Sequence, residues 1–155
     1  MNCEKTKKLI SYINNCCEKK NYFLAKYVSP ILLLTLRIMI AMVFLKSGMI
    51  KIHNFDSTVF LFENEYNVPL VSPIFAAYSA TFFELACSVL LIIGLATRLA
   101  TLPLIGMALV IQFSVMQHPI HFYWIAVLAT ILTFGPGCIS LDALIKRCAQ
   151  NCANK

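Results

Sequence analysis

Charged residues are scarce in this sequence. Only 13% of its 155 residues are charged and 59% are hydrophobic, whereas an ordinary soluble domain has about 25% charged residues. The mean hydropathy is +0.76. Several apolar stretches reach about 20 residues, the length that a helix needs to cross a hydrocarbon core about 30 Å thick. The composition therefore predicts a membrane protein and excludes an ordinary soluble domain.

The motifs of self-contained enzymes are missing as well. We find no Ser-His-Asp order, no phosphate-binding loop and no paired metal ligands in the sequence. Haem and iron–sulfur patterns are also missing, so any electron transfer would need a redox centre on a partner protein. We therefore predict no metal site and no intrinsic cofactor, with a bound quinone as the open alternative, and we identify no self-contained catalytic motif.

Four apolar stretches are long enough to predict helices that cross the membrane. The predicted spans are residues 29–50, 74–95, 99–117 and 120–134. They are apolar all round, whereas barrel strands alternate apolar and polar residues. The predicted fold class is all-α, an integral membrane four-helix bundle at 29–138 with an outer loop at 51–73. An N-terminal segment, 1–28, and a C-terminal tail, 139–155, flank it.

Positive charge is distributed unevenly around these spans. Lysines and arginines gather before the first span, at Arg98 between the second and third, and in the C-terminal tail. The predicted outer loop contains Lys51 and three acidic residues, Asp56, Glu63 and Glu65. Because cytoplasmic loops are rich in lysine and arginine, both termini are predicted to be cytoplasmic. The net charge of +6 then reflects topology and attraction to anionic lipid headgroups, and it does not call for nucleic acid.

Three segments outside the spans have amphipathic patterns. Apolar residues among the lysines before the first span predict a basic stretch on the inner membrane surface, with a solvated tail as the alternative. In the outer loop, helical spacing predicts a helix that Pro69 stops, with one apolar face at Phe55, Val59, Phe62 and Tyr66. This helix either closes the bundle mouth or acts as a lid over a pocket.

The third amphipathic segment lies in the C-terminal tail. Ser140 is predicted to cap a short helix. The apolar face of this helix contains Leu141, Leu144, Ile145 and Cys148. We expect this face to rest on the bilayer.

The seven cysteines do not predict a redox or structural site. Five of them fall on the predicted cytoplasmic side, Cys3, Cys16, Cys17, Cys148 and Cys152, and this location argues against structural disulfides. A zinc site on the paired cysteines of the two ends is disfavoured, because adjacent and C-x3-C pairs differ from the usual C-x2-C spacing. No C-x-x-C pair is present, which disfavours a dithiol oxidoreductase.

Glu84 lies in the middle of the second span. An isolated charge there costs about 3 kcal/mol on insertion scales, so a partner is expected. Counting the rise along each helix places Arg37 of the first span within a few ångströms of the same depth, and we predict that these two side chains pair. Lys51 shares the face of Arg37, whereas Lys46 lies opposite and is expected to snorkel. Such a pair either fixes helix register or serves ligand or proton binding.

Two histidines lie near the predicted outer mouth. His118 and His121 stand close to Tyr123 and Trp124, a composition typical of an interfacial aromatic belt. The alternative is a proton relay to a quinone, or a metal site, since imidazole titrates near neutral pH. Gln112 in the third span is expected to hydrogen-bond across the bundle.

Several short motifs together resemble the DoxX family of small four-span bacterial membrane proteins over residues 32–146. They are Arg37, Ser47-Gly48-x-x-Lys51, Glu84, Gly94-x-x-Thr97-Arg98 and Gly135-Pro136-Gly137-x-x-Ser140-Leu141-Asp142. The resemblance implies the bacterial inner (plasma) membrane and an association with quinol or thiosulfate:quinone oxidoreductase complexes. It also implies a functional set, which comprises Arg37, Lys51, Glu84, Arg98 and Asp142.

These observations lead to one main hypothesis and two alternatives. The main hypothesis is an accessory subunit of a membrane redox complex that binds a quinone or sulfur compound through buried charges, beside a redox protein partner. One alternative is a small-solute carrier or channel, for which a homo-oligomer would supply the missing wall of the pathway. The other alternative is a non-catalytic membrane assembly factor.

Overall fold

The computed structural model of the protein describes residues 12, 18, 24–66, 72–114 and 119–153. Six α-helices account for most of these residues: α1 (Ser29–His53), α2 (Phe55–Leu61), α3 (Pro73–Ile93), α4 (Thr97–Ser114), α5 (Pro119–Phe134) and α6 (Leu141–Ala153). One π-helical turn precedes α1 at Leu24–Val28, and another follows α2 at Phe62–Tyr66. No strand occurs in the described ranges, so the all-α prediction is confirmed there.

The four long helices overlap the four predicted apolar stretches, and residues 115–117 of the third stretch lie outside the described residues. Two helices are long and apolar enough to cross a membrane, Lys26–His53 and Pro73–Ile93, and two shorter apolar helices follow at Thr97–Phe113 and Pro119–Phe134. At 1.5 Å per residue, the 16 residues of α5 cover about 24 Å. This length is shorter than an average hydrocarbon core.

The long helices pack in a ring. The α1 helix packs most extensively against α3, α4 against α5, and the contacts α3–α4 and α5–α1 close the ring. The buried core between them consists of Ile40, Ala41, Phe44, Cys87, Leu91, Ala100, Leu104, Ala108, Leu128 and Ile131. The face of α1 predicted to point into the bundle does so, because Arg37, Ala41, Phe44 and Gly48 are all buried.

The bundle has two ends that we name by their elements. The basal end contains the start of α1, the α3–α4 turn and the α5–α6 connection at 135–140. The apical end contains the end of α1, all of α2 and the start of α3. At the basal turn, Gly94 ends α3 with φ 76° and donates its N–H to Leu90 O at 2.8 Å. A left-handed glycine is a common helix stop, and here it sends the chain back along the bundle.

The helix predicted at residues 55–66, which we call the lid segment, folds over the apical end. The residues of the predicted apolar face belong to α2 and to the π-helical turn after it. Pro69, which was predicted to stop this helix, lies outside the described residues. Phe55 stacks on Tyr78 with ring centroids 4.3 Å apart. The buried Thr58 hydroxyl donates to Asn54 O at 3.1 Å and lies 3.3 Å from Lys51 O. These contacts hold α2 against the ends of α1 and α3.

The tail helix begins where its capping residue predicts. Ala143 N donates to Ser140 Oγ at 3.1 Å, and α6 starts at the next residue after Ser140. Its predicted apolar face is exposed, including Leu144 and Ile145 at 53% each. Most of the predicted N-terminal amphipathic segment, including Cys16 and Cys17, lies outside the described residues.

Candidate functional site

The five charged residues of the predicted functional set fall into two groups at opposite ends of the bundle. Lys51 and Glu84 meet near the apical end, where the Lys51 ammonium donates to Glu84 Oε1 in a salt bridge. Arg37, Arg98 and Asp142 lie at the basal end. The predicted Arg37–Glu84 pair is therefore wrong, and Lys51 is the partner of Glu84.

Helix register explains the change of partner. A Cβ atom on Gly48 would lie 3.3 Å from Glu84 Cβ, so Gly48 marks the level of Glu84 on α1. Arg37 is eleven residues nearer the basal end, about 16 Å along the helix axis. Its guanidinium instead lies beside Gly94, where an added Cβ would be 2.8 Å from Arg37 Nη1. Counting from predicted span ends missed this offset, because the two helices do not begin and end at equal depths.

The apical salt bridge lines an apolar cavity of about 360 Å³, which we call the apical pocket. Most of its wall comes from α3 and α4, and Phe62 of the lid segment contributes from above. The Glu84 side chain is 2% exposed and that of Lys51 is 16% exposed. A charged pair in the wall of an otherwise apolar cavity of this size is typical of a site that orients a small ligand.

One oxygen of Glu84 has unused hydrogen-bonding capacity. Oε1 accepts from Lys51, but the buried Oε2 has no hydrogen-bond partner among the described residues. Ser88 does not supply one, because its hydroxyl donates to the main-chain oxygen of Glu84 at 2.5 Å. Buried polar atoms are nearly always paired with protein or water. Glu84 Oε2 is therefore an acceptor that no described residue uses, on a side chain that lines the pocket.

Two residues of the pocket were missed by sequence reasoning. Gly106 and Pro103 both line it from α4. A Cβ on Gly106 would meet no other atom within 4 Å, so this position opens onto space. Pro103 inside the helix cannot donate to the carbonyl four residues earlier. A proline and a glycine three residues apart in one apolar helix were the available signal.

At the basal end, Arg37 binds the chain segment that connects α5 to α6. Its Nη1 donates to Pro136 O at 2.7 Å and its Nη2 to Ile139 O at 3.0 Å. The side chain is 2% exposed, so these bonds form away from water. Hydrogen bonds from a charged donor are stronger than neutral ones. Arg37 therefore fastens a distant segment to the bundle.

Asp142 joins α6 to the start of α4. Its Oδ1 accepts from Ala96 N at 2.8 Å and its Oδ2 from Thr97 N at 3.1 Å. Its own N–H donates to Gly94 O at 3.0 Å. Both amides lie at a helix N-terminus, where the N–H groups have no acceptor within the helix and a carboxylate is favourable. Asp142 thus acts as a cap supplied from another helix.

The predicted belt position of His121 is wrong, because this side chain is buried. His121 Nδ1 lies 3.2 Å from Gln112 Oε1, which confirms the expected hydrogen bond of Gln112 across the bundle. The imidazole also makes an edge contact with Trp124, with ring centroids 4.9 Å apart. Tyr123 is 75% exposed, as an interfacial residue would be. His118 lies outside the described residues, which contain no cluster of three potential metal ligands.

Comparison with known proteins identifies the family. The DoxX family matches residues 32–117, more than half of the chain. No curated protein and no solved structure matches significantly. The chain therefore belongs to the DoxX family and is a membrane protein. The match includes Arg37, Lys51, Glu84 and Arg98, and it ends before Asp142, so it is shorter than the range 32–146 that the motifs predicted.

Proposed function

We propose that this DoxX family protein binds a quinone in the apical pocket and serves as an accessory subunit of a membrane redox complex. The observation that carries the proposal is Glu84 Oε2, a buried acceptor in the wall of an apolar pocket that has no partner among the described residues. A quinone has an apolar tail and a polar ring, which suits a pocket with one charged pair in an apolar wall.

The two charged side chains offer complementary hydrogen bonds to such a ring. The ammonium of Lys51 can donate to a quinone carbonyl, since it carries three donors and Glu84 Oε1 takes one. Glu84 Oε2 can accept from a hydroxyl of the reduced form. Apolar side chains on the pocket wall, such as Phe75 and Phe83, suit the adjoining tail. The chain's own part is to bind and orient the ring.

Electrons for a quinone must come from elsewhere in this proposal. The sequence has no haem or iron–sulfur pattern, so a partner protein with a redox centre supplies or accepts them. The DoxX family membership is consistent with a subunit of such a complex. We assign no catalytic residue to this chain.

The proposed membrane arrangement has four spans with both termini in the cytoplasm of a bacterium. It rests on the charges at the two ends of the bundle. Arg98, Lys146 and Arg147 belong to basal elements, whereas Asp56 and Glu63 belong to the apical lid segment. The positive-inside rule makes the basal end cytoplasmic. The apical pocket then lies toward the outer leaflet.

Quinone retention tests the proposal. The protein would be purified in mild detergent from its own membrane, and bound quinone would be extracted and quantified by mass spectrometry. Glu84→Gln removes the charge and keeps the shape, and we expect quinone per protein to fall about tenfold, the effect of losing about 1.4 kcal/mol. Lys51→Met should reduce it similarly.

Lys46→Met is the matched control, because it removes an exposed lysine of the same helix that does not line the pocket. We expect wild-type retention from it. Equal quinone content in wild type and Glu84→Gln, with both folded, would contradict the proposal. Solute uptake into proteoliposomes would then be measured, because the carrier alternative predicts transport without quinone.

A further inference from the structure

A second and larger cavity lies at the basal end, away from the apical pocket. It has a volume of about 760 Å³ and is bounded by the start of α1, the beginning of α4, the 135–138 segment and α6. Neither Lys51 nor Glu84 contributes to it. The polar side chains of its wall therefore differ from those of the apical pocket.

Three cationic side chains line this basal cavity, Arg98 from α4 and Lys146 and Arg147 from α6. None of them forms a salt bridge in the part of the chain that the structure describes. Among the described residues of the wall, the one acid is Asp142, whose two oxygens already accept from the amides of Ala96 and Thr97. Like charges in one wall repel each other, and an anion between them removes that repulsion.

Hydrogen-bond donors are available in the same wall. Arg98 is exposed and makes one long contact, from Nη2 to Thr133 O at 3.4 Å. Its guanidinium packs along Gly135, where an added Cβ would lie 3.3 Å from Nη2. Thr97 has a fully buried hydroxyl with no partner among the described residues. An arginine fork with unused N–H groups matches the oxygens of a phosphate.

Two exposed apolar side chains also line the cavity, which favours a lipid as the source of that phosphate. Leu99 is 70% exposed and Phe134 is 72% exposed, and both line the cavity. A free inorganic ion would gain nothing from these surfaces, whereas acyl chains would cover them.

We propose that the basal cavity binds one anionic glycerophospholipid. Its phosphate contacts Arg98, Lys146 and Arg147, and its acyl chains lie along Leu99 and Phe134. The lipid ties α6 to the end of the bundle by joining cations from two helices. This site is separate from the apical pocket, so it does not depend on the proposed quinone.

Native mass spectrometry of the full chain in lipid nanodiscs tests the site. The probes are phosphatidylglycerol and phosphatidylcholine, which share acyl chains and differ in net charge. We expect wild type to retain one phosphatidylglycerol after release from the nanodisc and to prefer it over phosphatidylcholine. Arg98→Gln should weaken retention about tenfold, since it removes a charge-assisted hydrogen bond.

Lys46→Gln is the matched control, because it also removes one exposed cation but from α1, outside this cavity. It should retain phosphatidylglycerol as wild type does. If Arg98→Gln does not fold, Lys146→Gln takes its place, since this exposed side chain has no hydrogen bond to the rest of the described chain. Circular dichroism would verify helicity before each comparison.

Three results would overturn the proposal. Equal retention of the two lipids by wild type would show that charge is not recognised. Unchanged retention in Arg98→Gln or its replacement would show that these cations are not the site. Displacement of the bound lipid by excess inorganic phosphate would identify a soluble oxyanion as the ligand in place of a lipid.

Discussion

At the basal end of the bundle, Arg37 Nη1 and Nη2 and both carboxylate oxygens of Asp142 bond to main-chain groups, while Arg37 Nε has no hydrogen-bond partner among the described residues. At the apical end, Glu84 binds one lysine and keeps an oxygen with no donor among the described residues. Both ends contain charged side chains in an apolar protein, where charge is expensive. The charged side chains of the two ends therefore have two different uses. A charge bound to the backbone fastens the fold, as Arg37 does although its Nε stays unpartnered, whereas a charge with an unused acceptor in the lining of a pocket, as on Glu84, is available to a ligand.

The largest expected effect comes from removing the basal arginine. Arg37→Met leaves Pro136 O and Ile139 O without their donors. We expect the free energy of unfolding to fall by about 3 kcal/mol or more, because buried groups lose charged hydrogen bonds. Unfolding in mixed detergent micelles, followed by circular dichroism, measures it. A loss of equal size in Glu84→Gln would break the distinction between the two ends.

The next effects come from substituting two glycines with alanine, and the two changes in stability have opposite signs. Gly94 has φ +76°, and an added Cβ would lie 2.8 Å from both Arg37 Nη1 and Ser140 Cβ. We expect Gly94→Ala to destabilise by about 2 kcal/mol from the left-handed backbone, with the contacts adding to it. At Gly106, where a Cβ meets nothing within 4 Å, alanine should stabilise the helix by about 0.5–1 kcal/mol. Thermal unfolding of both variants would test the contrast, and a destabilised Gly106→Ala would contradict it.

A smaller effect, the coupling energy between two substitutions, tests whether Lys51 is the partner of Glu84. In a double-mutant cycle, Lys51→Met and Glu84→Gln should couple by about 1 kcal/mol, as residues in contact do. The cycle with Arg37→Met and Glu84→Gln should be additive within about 0.5 kcal/mol. Free energies of unfolding of the single and double variants provide both numbers. Coupling of Glu84 to Arg37 in place of Lys51 would restore the pair that sequence reasoning predicted.

An effect of comparable size concerns the cap that α6 supplies to α4. Asp142→Asn keeps one acceptor oxygen but removes the negative charge beside two amides. We expect a loss of about 1 kcal/mol in the free energy of unfolding, typical of a weakened cap. Asp56→Asn is the control, since Asp56 lies in the first turn of α2 and is exposed. A similar loss for both would show that Asp142 acts only as a general helix-end charge.

Much of the architecture could be predicted from local sequence patterns. The helix class, the approximate ends of α1 and α3 and the Ser140 cap follow from apolar runs and turn residues, which act over a few positions. The inward face of α1 was also predictable, because helical periodicity fixes which residues share a side. The amide of Gln112 needed a partner, and the structure supplies His121.

The pairing of charges could not be predicted in the same way. Glu84 binds Lys51 because Gly48 lets α3 approach α1 at that level, a register that neither helix encodes alone. The partners of Arg37 are 99 and 102 residues away along the chain. Such contacts depend on how the turns set one helix against another. Sequence reasoning placed the right charges inside the protein but assigned the wrong partner to Glu84.

The sequence by itself determined that this chain is helical, that its long helices are apolar and that Arg37 and Glu84 lie in the interiors of α1 and α3. Those properties depend on side-chain chemistry and periodicity within single segments. The tertiary structure alone decided which charges meet, which of them fasten the backbone and which line a cavity. The physical reason is that a salt bridge or hydrogen bond needs atoms within a few ångströms, and that proximity arises only when the helices pack.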